Sequence, residues 1–568
     1  MGVDHLWEVL APAATSRSLM SLALQNRFHG EPPFAPYRVG VDVSILFERC
    51  QQVQMLRAHP QSGQNAPLRT FFYRVTRLLK LPLQLVFCYD GDERPAFKRE
   101  RRVSPKDHWM VKPTQRILNA LGVPWFKARG EAEAELAAMN VAGVIDAVMT
   151  DDSDVFVFGA QTVIRNSSLE ADGTVSVYTA DSIRDNVAQK LDHDGLVLMA
   201  LLCGGDYDMA GLVGCGSVTA LGLVRCGLAV PLCTAMRTDS DLTGSLQEWR
   251  QKLREHLQSD PTREIGRQHP ALASVVPDTF PSEAVAKSYI VPLVRAGSDQ
   301  FRLPQPQPPD LGSTAVLARE LFGWDDTTAL LKTFRANVWP GFVLQELLQD
   351  LSCYSSSSNE VVLPPAGARA FSLHAVRSAK ALDDVPGHNI RLPTATLCHD
   401  TVSRINSAEV SAPTGVLHDS EQGSPNSLDM WIAKSIYDSW IDLASLRTTG
   451  LRASAQSQGC LGATRSRSAG AICIGGRLPE RESSKLDQDV SPGLVASSSA
   501  VDGSANFAGI SEHFTPSSHD HDDIIDLTAD DNVLESSSSC NVIDLTADDS
   551  PQSSASLSGH AEIIDLTL

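Results

Sequence analysis

Short apolar segments alternate with longer segments of helical periodicity from residue 37 onward. YRVGVDVSILF (37–47) and LQLVFCYD (83–90) are rich in β-branched and aromatic residues, which predicts two buried strands. Between them, PLRTFFYRVTRLLKL (67–81) repeats its apolar residues at helical spacing. Short strands separated by helices indicate βαβ units, so the pattern predicts an α/β fold in which helices flank a parallel sheet. The alternation continues with a helix over WMVKPTQRILNALG (109–122), the strand VPWF (123–126), a helix over GEAEAELAAMNVAG (130–143) and a strand at the start of DAVMTDDSDVFVFG (146–159).

Acidic residues follow these apolar segments at the same end of each. Functional clefts in parallel sheets lie beyond the carboxyl ends of the strands, so we expect the acids to converge on one cleft. A single acid at a strand end is equally well explained as a cap for the next helix. The recurrence favours the cleft. The residues concerned are Asp42, Asp90, Glu131, Glu133, Asp152 and Asp154, together with Asp206 after the apolar run LVLMALLCGG.

The chemistry of such a cleft follows from its charge. Several carboxylates in one place repel each other and have raised pKa values unless cations neutralise them. Oxygen ligands without cysteine or histidine suit Mg²⁺ or Mn²⁺ better than Zn²⁺. Two such ions about 4 Å apart activate a water and stabilise the leaving oxygen in phosphodiester hydrolysis.

The stretch RGEAEAELAAMN (129–140) carries three glutamates in the first turns of its helix. Acids there interact favourably with the helix dipole, at about 0.3–1 kcal/mol each, without any further role. Consecutive helical residues point about 100° apart, so Glu131 and Glu133 would not share a face of a regular helix. At a loop-to-helix entrance both can turn inward. We therefore interpret Glu131 and Glu133 as metal ligands and Glu135 as solvated helix surface.

Charge is distributed unevenly along the 568 residues, whose formal net charge is −20. No lysine or arginine occurs after Lys485, whereas acids are dense from Asp520 onward, so the first half carries less of the negative charge. The 11 cysteines form no CxxC pair or zinc spacing, which predicts reduced thiols in an intracellular protein. No run of about 18 apolar residues and no signal-peptide pattern is present, so no membrane association is expected.

Five motifs occur in the order and spacing of a known family. They are GVDVS, FCYDGDERPAFKRERR, GEAEAE, TDDSDVFVFGAQTVIRN and GGDYDMAGLVGCGSVTA. In this order they resemble the N and I regions of the XPG-type structure-specific endonucleases, over roughly residues 1–230 and more faintly to about 350. The resemblance implies a PIN-like (resolvase-like) core with a parallel sheet flanked by helices, and two Mg²⁺ ions, with Mn²⁺ as a substitute.

The resemblance also assigns roles to individual residues. The seven acids named above match the family's metal ligands one by one. Lys98 matches the basic residue that reaches the scissile phosphate, and Arg99 is expected to assist it in catalysis. Arg101, Arg102 and Gly2 are expected DNA contacts. A solvated basic face or a nuclear-import patch is the alternative interpretation of KRERR.

AGLVGCGSVTALGLV (210–224) resembles the helix–two-turn–helix element that grips duplex DNA through hairpin amides and a bound K⁺ ion. Three glycines permit close approach of the backbone to phosphate: Gly211, Gly214 and Gly216. The sequence departs from the family at three neutral positions where lysine or arginine is common: Ser217, Val218 and Thr219. Ser217 is still an expected DNA contact, but a weaker grip follows, because each lost phosphate contact weakens binding.

Within the family, the spacing favours the GEN-type Holliday junction resolvases. Only a short stretch separates the DG motif from GEAEAE, where the excision-repair type has a very long spacer. The replicative flap type has a longer arch and a QxxLxxFF-like clamp-binding box, which this sequence lacks. FPSEAV (280–285) adds to the GEN-type likeness. Four-way junctions and 5′ flaps both stay open as substrates, as does dimerisation on junctions.

The second half contains two further candidates. FSLHAVRSA (371–379) and LDMWIAKSIYDSW (428–440) could supply a strand and the closing helix of a chromodomain-like module, or simply amphipathic segments. The chain from 451 is rich in Ser, Gly and Ala, which predicts a disordered tail. Within it, IIDLT-type repeats resemble the SUMO-interacting motif, which adds a strand to a partner's sheet edge, and tandem copies raise avidity. The expected SUMO-binding residues are Ile524, Ile525, Leu527, Val542, Ile543, Leu545, Ile563, Ile564 and Leu566.

These observations predict a chain of five parts and a nuclear function. We expect a Mg²⁺-dependent endonuclease of branched double-stranded DNA, at Holliday junctions or 5′ flaps, acting in repair and recombination with SUMO-modified partners. The alternative is a SUMO-binding DNA scaffold with a non-catalytic nuclease-like core. The expected parts are the N-region (1–102), the I-region (103–208), the helix–two-turn–helix and its extension (209–350), the chromodomain-like module (351–450) and the tail (451–568).

Overall fold

The structure, a computed structural model, covers the nuclease-like part of the chain and the region after it. Arg99 and the tail from 451, with its three repeats, lie outside the described residues, and for Arg101 and Arg102 only the backbone is described. The roles predicted for these residues therefore stay predictions. The described residues are 2–25, 27–28, 34–56, 65–95, 97–98, 101–102, 106–165, 174–238, 242–295, 303–352, 375–382, 384–405 and 427–443.

The elements follow the alternation that the sequence predicts. The strands are β1 Thr15–Ser18, β2 Tyr37–Asp42, β3 Leu83–Tyr89, β4 Phe97–Lys98, β5 Arg101–Arg102, β6 Trp125–Lys127, β7 Ala147–Met149, β8 Thr162–Arg165, β9 Thr174–Thr179, β10 Ala375–Ala379, β11 Gly387–Pro393 and β12 Ser427–Ala433.

Helices of 4 to 18 residues connect and flank these strands. They are α1 Leu6–Leu10, α2 Leu19–Leu24, α3 Val43–Leu56, α4 Ala66–Leu79, α5 Val111–Ala120, α6 Ala132–Val141, α7 Asp154–Val157, α8 Ala180–Asn186, α9 His193–Cys203, α10 Ser217–Arg225, α11 Ala229–Thr238, α12 Leu242–Ser259, α13 Pro270–Val275, α14 Glu283–Ile290, α15 Leu311–Phe322, α16 Thr327–Asn337, α17 Trp339–Ser352 and α18 Ala395–Val402, with a 3₁₀ turn at Ala11–Ala13 and a last helix over 434–443.

A seven-stranded sheet forms the centre of the fold, in the order β1-β9-β8-β7-β2-β3-β6. The five strands from β8 to β6 pair in parallel, as the βαβ pattern predicts. The edge formed by β9 and β1 is antiparallel, which the pattern did not indicate. An antiparallel edge on an otherwise parallel sheet is common, because a short hairpin connection suffices to add such a strand.

Both faces of the sheet are covered by helices. Along β3, Leu85 and Phe87 belong to the buried cluster that includes residues of α4, α15 and α17. Their neighbours Val86 and Cys88 belong to the cluster on the other face, with residues of α6, α9 and α10. Alternate side chains of a strand point to opposite faces, so a strand buried on both sides reads as a continuous apolar run. This burial explains why LQLVFCY could be recognised as a strand.

The run LVLMALLC is part of helix α9. This helix corrects the expectation that the run before Asp206 resembles the apolar strand segments that precede the other acids. Eight of its eleven residues are buried, so the helix is apolar on all sides and shows no amphipathic periodicity. Its leucines, methionine and alanine favour a helix. Asp206 therefore reaches the sheet edge from a helix end.

The segment between α1 and β2 packs onto the core. Helix α2 is buried over most of its length, and Phe28 is 4% exposed. The Phe28 carbonyl oxygen accepts a hydrogen bond from Ser439 Oγ at 3.5 Å, which joins this segment to the 434–443 helix. This segment thus contacts the C-terminal region.

The C-terminal region forms a three-stranded antiparallel sheet, β10-β11-β12, followed by the 434–443 helix. The strand predicted in FSLHAVRSA is confirmed, whereas LDMWIA forms β12 and the helix begins only after it. Trp440 Nε1 donates to Asp350 Oδ2 at 2.9 Å, and Trp339 Nε1 donates to Thr401 Oγ1 at 3.1 Å. The chromodomain-like assignment itself stays a prediction.

In the described part of the chain, no single helix meets the length and hydropathy expected of a membrane span. The bent pair formed by α10 and α11 passes that test on length and composition alone, with a 77° angle between the two helices.

Candidate metal centre

The predicted acids meet at the carboxyl edge of the parallel strands. Asp42 is the last residue of β2, and Asp90 directly follows β3. Glu131 is the N-cap of α6, with extended backbone angles, and Glu133 lies in the first turn of that helix. Asp152 lies in the connection from β7 to α7, Asp154 is the first residue of α7, and Asp206 lies after α9. Six of the seven acids are buried: Asp42, Glu131, Glu133, Asp152, Asp154 and Asp206.

Lys98 lies among these acids. Its Nζ is 2.7 Å from Glu131 Oε1 and 2.9 Å from Asp206 Oδ2, with Glu133 Oε1 at 3.7 Å. The side chain is 27% exposed, so it reaches the acids from the rim of the cleft. This geometry places the Lys98 ammonium where the carboxylates converge, and the predicted contact of Lys98 with the scissile phosphate stays a prediction.

Neighbouring groups hold two of the acids in fixed orientations. Asp42 accepts hydrogen bonds from the Ser44 amide at 3.0 Å and from Thr150 Oγ1 at 3.1 Å. Asp90 accepts from Ser44 Oγ and from the Ala132 amide, both at 3.0 Å. The Ala132 bond connects the end of β3 to the start of α6. Because each donor comes from another element of the same edge, the carboxylates are positioned by the folded sheet as a whole.

Burial and mutual repulsion change the acidity of the cluster. Burial, with the charges of Asp90 and Asp152, raises the pKa of Asp42 to about 7. Burial raises the pKa of Glu133 and of Asp154 well above the usual carboxyl range, although Lys98 opposes the shift in both. Carboxylates packed together without enough positive charge share protons. A divalent cation would displace those protons and restore the charged forms.

The residues present fit divalent metal ions of the Mg²⁺ class. Two buried oxygens, Glu133 Oε2 and Asp154 Oδ1, have no hydrogen-bond partner in the structure, and buried oxygens without a donor are suited to a cation. The ligand set is all oxygen. No group of three or more acidic, histidine or cysteine side chains within the described ranges is already spaced as a coordination sphere. Binding of metal would therefore require the Lys98 ammonium to move away from Glu131 and Asp206.

Gly2 lies directly against the acids. Its φ is +88°, and a Cβ atom there would lie 2.4 Å from both Asp152 Oδ1 and Ser153 Oγ. Only glycine satisfies both the left-handed backbone and the lack of space. The sequence comparison with the family placed Gly2 among the DNA contacts. The structure places it at the acid cluster, and its contact with DNA stays a prediction.

The hairpin between α9 and α10 has the close backbone packing expected of a helix–two-turn–helix element. Gly211 has φ +53°, and a Cβ atom there would lie 2.5 Å from the Gly204 amide nitrogen. Gly214 also has positive φ, at +90°. Gly216 is the N-cap of α10, open to solvent, and Ser217 is the first residue of the helix. The hairpin is therefore accessible to a ligand, while its DNA contacts stay a prediction.

The sequence pattern missed Tyr207. Its hydroxyl donates a hydrogen bond to Glu131 Oε2, and its ring meets that of Tyr289 edge-on with centroids 4.7 Å apart. Burial and the Glu131 charge raise the pKa of Tyr207, so the phenol keeps its proton. Tyr207 thus orients a predicted metal ligand. Its position directly after Asp206 in the GGDY motif was the signal available in the sequence.

Glu135 corrects the prediction of a solvated helix surface. Its side chain is fully buried, and it accepts hydrogen bonds from backbone amides. The Arg295 amide donates to Oε1 at 2.9 Å, and the Arg129 amide donates to Oε2 at 3.2 Å. A chain segment 160 residues away covers this face of α6, which no local pattern could report. The Glu135 carboxylate therefore connects the segment after α14 to the loop that carries Glu131 through hydrogen bonds to both.

We expect Glu135→Ala to lower the free energy of unfolding by about 2 kcal/mol or more. The change leaves two amides without their acceptor, and each unpaired buried donor costs about 1–3 kcal/mol. Urea unfolding followed by circular dichroism measures the difference. The exposed pair of Glu283 and Lys287 provides the control, because Glu283→Ala should change stability by less than about 0.5 kcal/mol. Equal stability of both variants and the wild type would contradict a fastening role.

The I-region of the XPG family is recognised directly in this chain. The family model described as XPG I-region matches residues 122–206. The chain is 32% identical over 245 residues to flap endonuclease GEN homolog 1 of Homo sapiens, covering 40% of this chain and 25% of that protein. It is 31% identical over 256 residues to flap endonuclease GEN-like 1 of Arabidopsis thaliana, covering 40% and 39%. The chain thus spans less than half the length of these relatives.

Solved structures show the same fold. The junction-resolving enzyme GEN-1 with cesium superposes with a TM-score of 0.58 at 24% identity, covering 79% of this chain and all of that one. The Holliday junction-resolving enzyme GEN1 in complex with product DNA and Mg²⁺ superposes with a TM-score of 0.57 at 24% identity, again covering 79% of this chain and all of that one. This likeness confirms the predicted PIN-like sheet flanked by helices. The chain therefore contains an XPG I-region at residues 122–206, and it resembles the GEN-type members of the XPG-type structure-specific endonucleases.

Proposed function

We propose that this protein is a metal-dependent endonuclease that cuts branched double-stranded DNA. The convergence of seven carboxylates and Lys98 on one cleft carries the proposal. Such a cluster destabilises the protein unless cations are bound, because buried like charges repel. Two oxygens without partners, on Glu133 and Asp154, are aimed at no protein donor. Buried carboxylate oxygens without donors do not stabilise the fold, so they favour a cation-binding role over a structural one.

The chain's own residues have distinct parts in the proposed reaction. Two bound Mg²⁺ ions would supply the activated water and the stabilisation of the leaving oxygen. The seven acids would hold the ions, and Tyr207 orients Glu131 through its hydroxyl. Burial lowers the pKa of Lys98, but the attraction of Glu133, Glu131 and Asp206 outweighs this and raises it well above its ordinary value. Lys98 therefore stays protonated, and serves as a cation for the scissile phosphate rather than as a base.

The DNA duplex would be gripped on the hairpin before α10. The exposed positions Val213 and Val218 are neutral, as is Ser217, so the proposed grip depends on backbone amides and on a K⁺ ion. Relatives support the substrate: GEN1 has been crystallised with product DNA and Mg²⁺, and human GEN1 with Holliday junction DNA. Four-way junctions and 5′ flaps are both substrates in this proposal, with dimerisation on junctions and action in the nucleus.

The test is cleavage of end-labelled DNA of the same sequence in three forms: a four-way junction, a 5′ flap and a linear duplex. In Mg²⁺ we expect cuts close to the branch of the first two, and at least about a hundredfold slower cutting of the duplex, a difference of about 3 kcal/mol in transition-state binding. Excess EDTA should stop all cleavage, and Mn²⁺ should restore it. Binding to branched DNA without cleavage in either metal would instead favour the alternative, a SUMO-binding DNA scaffold.

A further inference from the structure

The segment 106–110 lies at the rim of the acid cleft, on the side of β3 and β6. Asp107 accepts a hydrogen bond at 3.0 Å from Nζ of Lys127, which is the last residue of β6. Lys127 Nζ is also 3.6 Å from Asp92, two residues after Asp90. Both contacts are at the carboxyl ends of strands, which is the edge that bears the predicted metal ligands. The segment therefore borders the place where a scissile phosphate would lie.

A series of aromatic rings leads outward from that edge. Tyr89, the residue before Asp90, meets Phe47 with ring centroids 6.3 Å apart. Phe47 stacks on His108 at 5.1 Å and an interplanar angle of 29°. Trp109 follows, with its ring centroid 5.8 Å from His108. The series thus begins in the core beside a predicted metal ligand and ends at Trp109.

The base of this series is held firmly. His108 Nδ1 accepts a hydrogen bond from the Met110 amide at 3.3 Å, and the His108 carbonyl oxygen accepts from the Val111 amide at 2.9 Å. These bonds form the entry to α5. The ring beside Trp109 is therefore fixed by backbone contacts on one side and by Phe47 on the other. A rigid support lowers the entropic cost of binding a flat ligand.

Trp109 itself is exposed to solvent. Its side chain is 44% exposed, and it is the only aromatic residue among the exposed large hydrophobic residues of the described ranges. Six of the other tryptophans donate their indole N–H to a protein acceptor: Trp7, Trp125, Trp249, Trp339, Trp431 and Trp440. An indole that is nearly half exposed at the cleft rim is available to a planar apolar group.

The charges around Trp109 favour a polyanionic ligand. Lys106 and Lys112, three residues to either side, are both exposed. The acids nearby, Asp92 and Asp107, share Lys127, so these three groups leave one negative charge against the two positive charges of Lys106 and Lys112. An exposed aromatic face between cations is the arrangement by which proteins bind single-stranded nucleic acid, since bases stack and phosphates meet the lysines.

We propose that Trp109 stacks on an unpaired nucleobase of the branched DNA beside the scissile phosphate. This inference rests on the proposed function and extends it, because it assigns the recognition of an unpaired base at the branch to one side chain. A continuous duplex offers no free base face, since its bases are stacked on each other. Trp109 would thus favour branch points over linear DNA.

The experiment places the fluorescent base 2-aminopurine at single positions around the branch of a 5′ flap and a four-way junction. The full chain is added in Ca²⁺ in place of Mg²⁺, and quenching of the fluorescence by stacking is recorded. We expect quenching at one position next to the cut site with wild type, loss of it with Trp109→Ala, and retention of most of it with Trp109→Phe. Affinity for the flap should fall roughly tenfold to a hundredfold in Trp109→Ala.

The matched control is Val141→Ala, which removes an exposed apolar side chain at the far end of α6 and should change neither quenching nor affinity. An abasic site at the quenched position should weaken wild type as much as Trp109→Ala does, and should weaken that variant no further. Quenching that survives in Trp109→Ala, or equal losses for every abasic position, would overturn the proposal. Quenching by a wild type that never cuts in Mg²⁺ would support the stacking and refute the endonuclease function.

Discussion

Replacing Asp152 and Asp154 together by asparagine should lower the rate of cleavage of branched DNA by about a thousandfold or more, while binding persists. A thousandfold loss corresponds to about 4 kcal/mol of transition-state stabilisation, a size expected when metal ions that activate the water can no longer bind. Asparagine keeps the volume, and its oxygen at position 152 can still accept from the amide of residue 154, as Asp152 Oδ1 does at 3.0 Å. Single-turnover cleavage and fluorescence anisotropy of a labelled junction measure the two properties.

The same double variant should also be more stable than wild type at high pH in EDTA. Burial raises the pKa of Asp152, and burial with the charges of Asp152 and Asp206 raises that of Asp154 well above its ordinary value. A carboxyl whose pKa is raised by folding stabilises the protein below the unfolded pKa, near 4, and this contribution is lost as pH rises toward the folded pKa. Wild type without metal should therefore lose thermal stability as the pH rises above about 4, and the variant should lose less.

A charge-matched control separates the cluster from general acidity. Asp181 and Asp185 are both exposed on α8, and their replacement by asparagine removes the same formal charge from the surface. That control should cut DNA at the wild-type rate and follow the wild-type dependence of melting temperature on pH. A cluster variant that still cuts within tenfold of wild type would show that these two acids do not hold the metal.

Lys98→Met should lower kcat by about a hundredfold to a thousandfold with little change in KM. Loss of one preorganised positive group or donor at a developing charge typically costs that much. Methionine keeps the unbranched shape and most of the length of the side chain but cannot neutralise Glu131 and Asp206, which the ammonium contacts at 2.7 and 2.9 Å. Steady-state cleavage of the 5′ flap measures the effect. Lys287→Met, which removes an exposed lysine paired with Glu283, is the control and should cut normally.

Metal adds a second signature to the lysine variant. In EDTA, Lys98→Met should melt at a lower temperature than wild type, because the acids lose their neutralising charge. Saturating Mg²⁺ should raise the melting temperature of the variant more than that of wild type, since no ammonium has to leave the acids before the ions bind. A larger Mg²⁺ effect in wild type would mean that Lys98 does not share the space of the ions.

The strand ends and their acids were determined by the sequence alone. Burial on both faces makes a parallel strand a continuous apolar run, so β2, β3 and β7 could be located, and with them Asp42, Asp90 and Asp152. The entrance position of Glu131 was likewise correct, because two glutamates at alternate positions fit a helix start and not a helix face. These features are local, and hydrophobic periodicity reports local burial.

Only the tertiary structure decided which distant segments complete the site. Asp206 reaches the site from the end of a helix, and Gly2 packs against Asp152. Tyr207 donates a hydrogen bond that orients Glu131. The tertiary structure also buries Glu135 under a segment 160 residues away and leaves Trp109 open at the rim. None of these positions has a local signature, because a side chain's exposure depends on which remote elements pack over it. The sequence therefore determined the acids and the sheet that aligns them, and long-range packing decided what surrounds them.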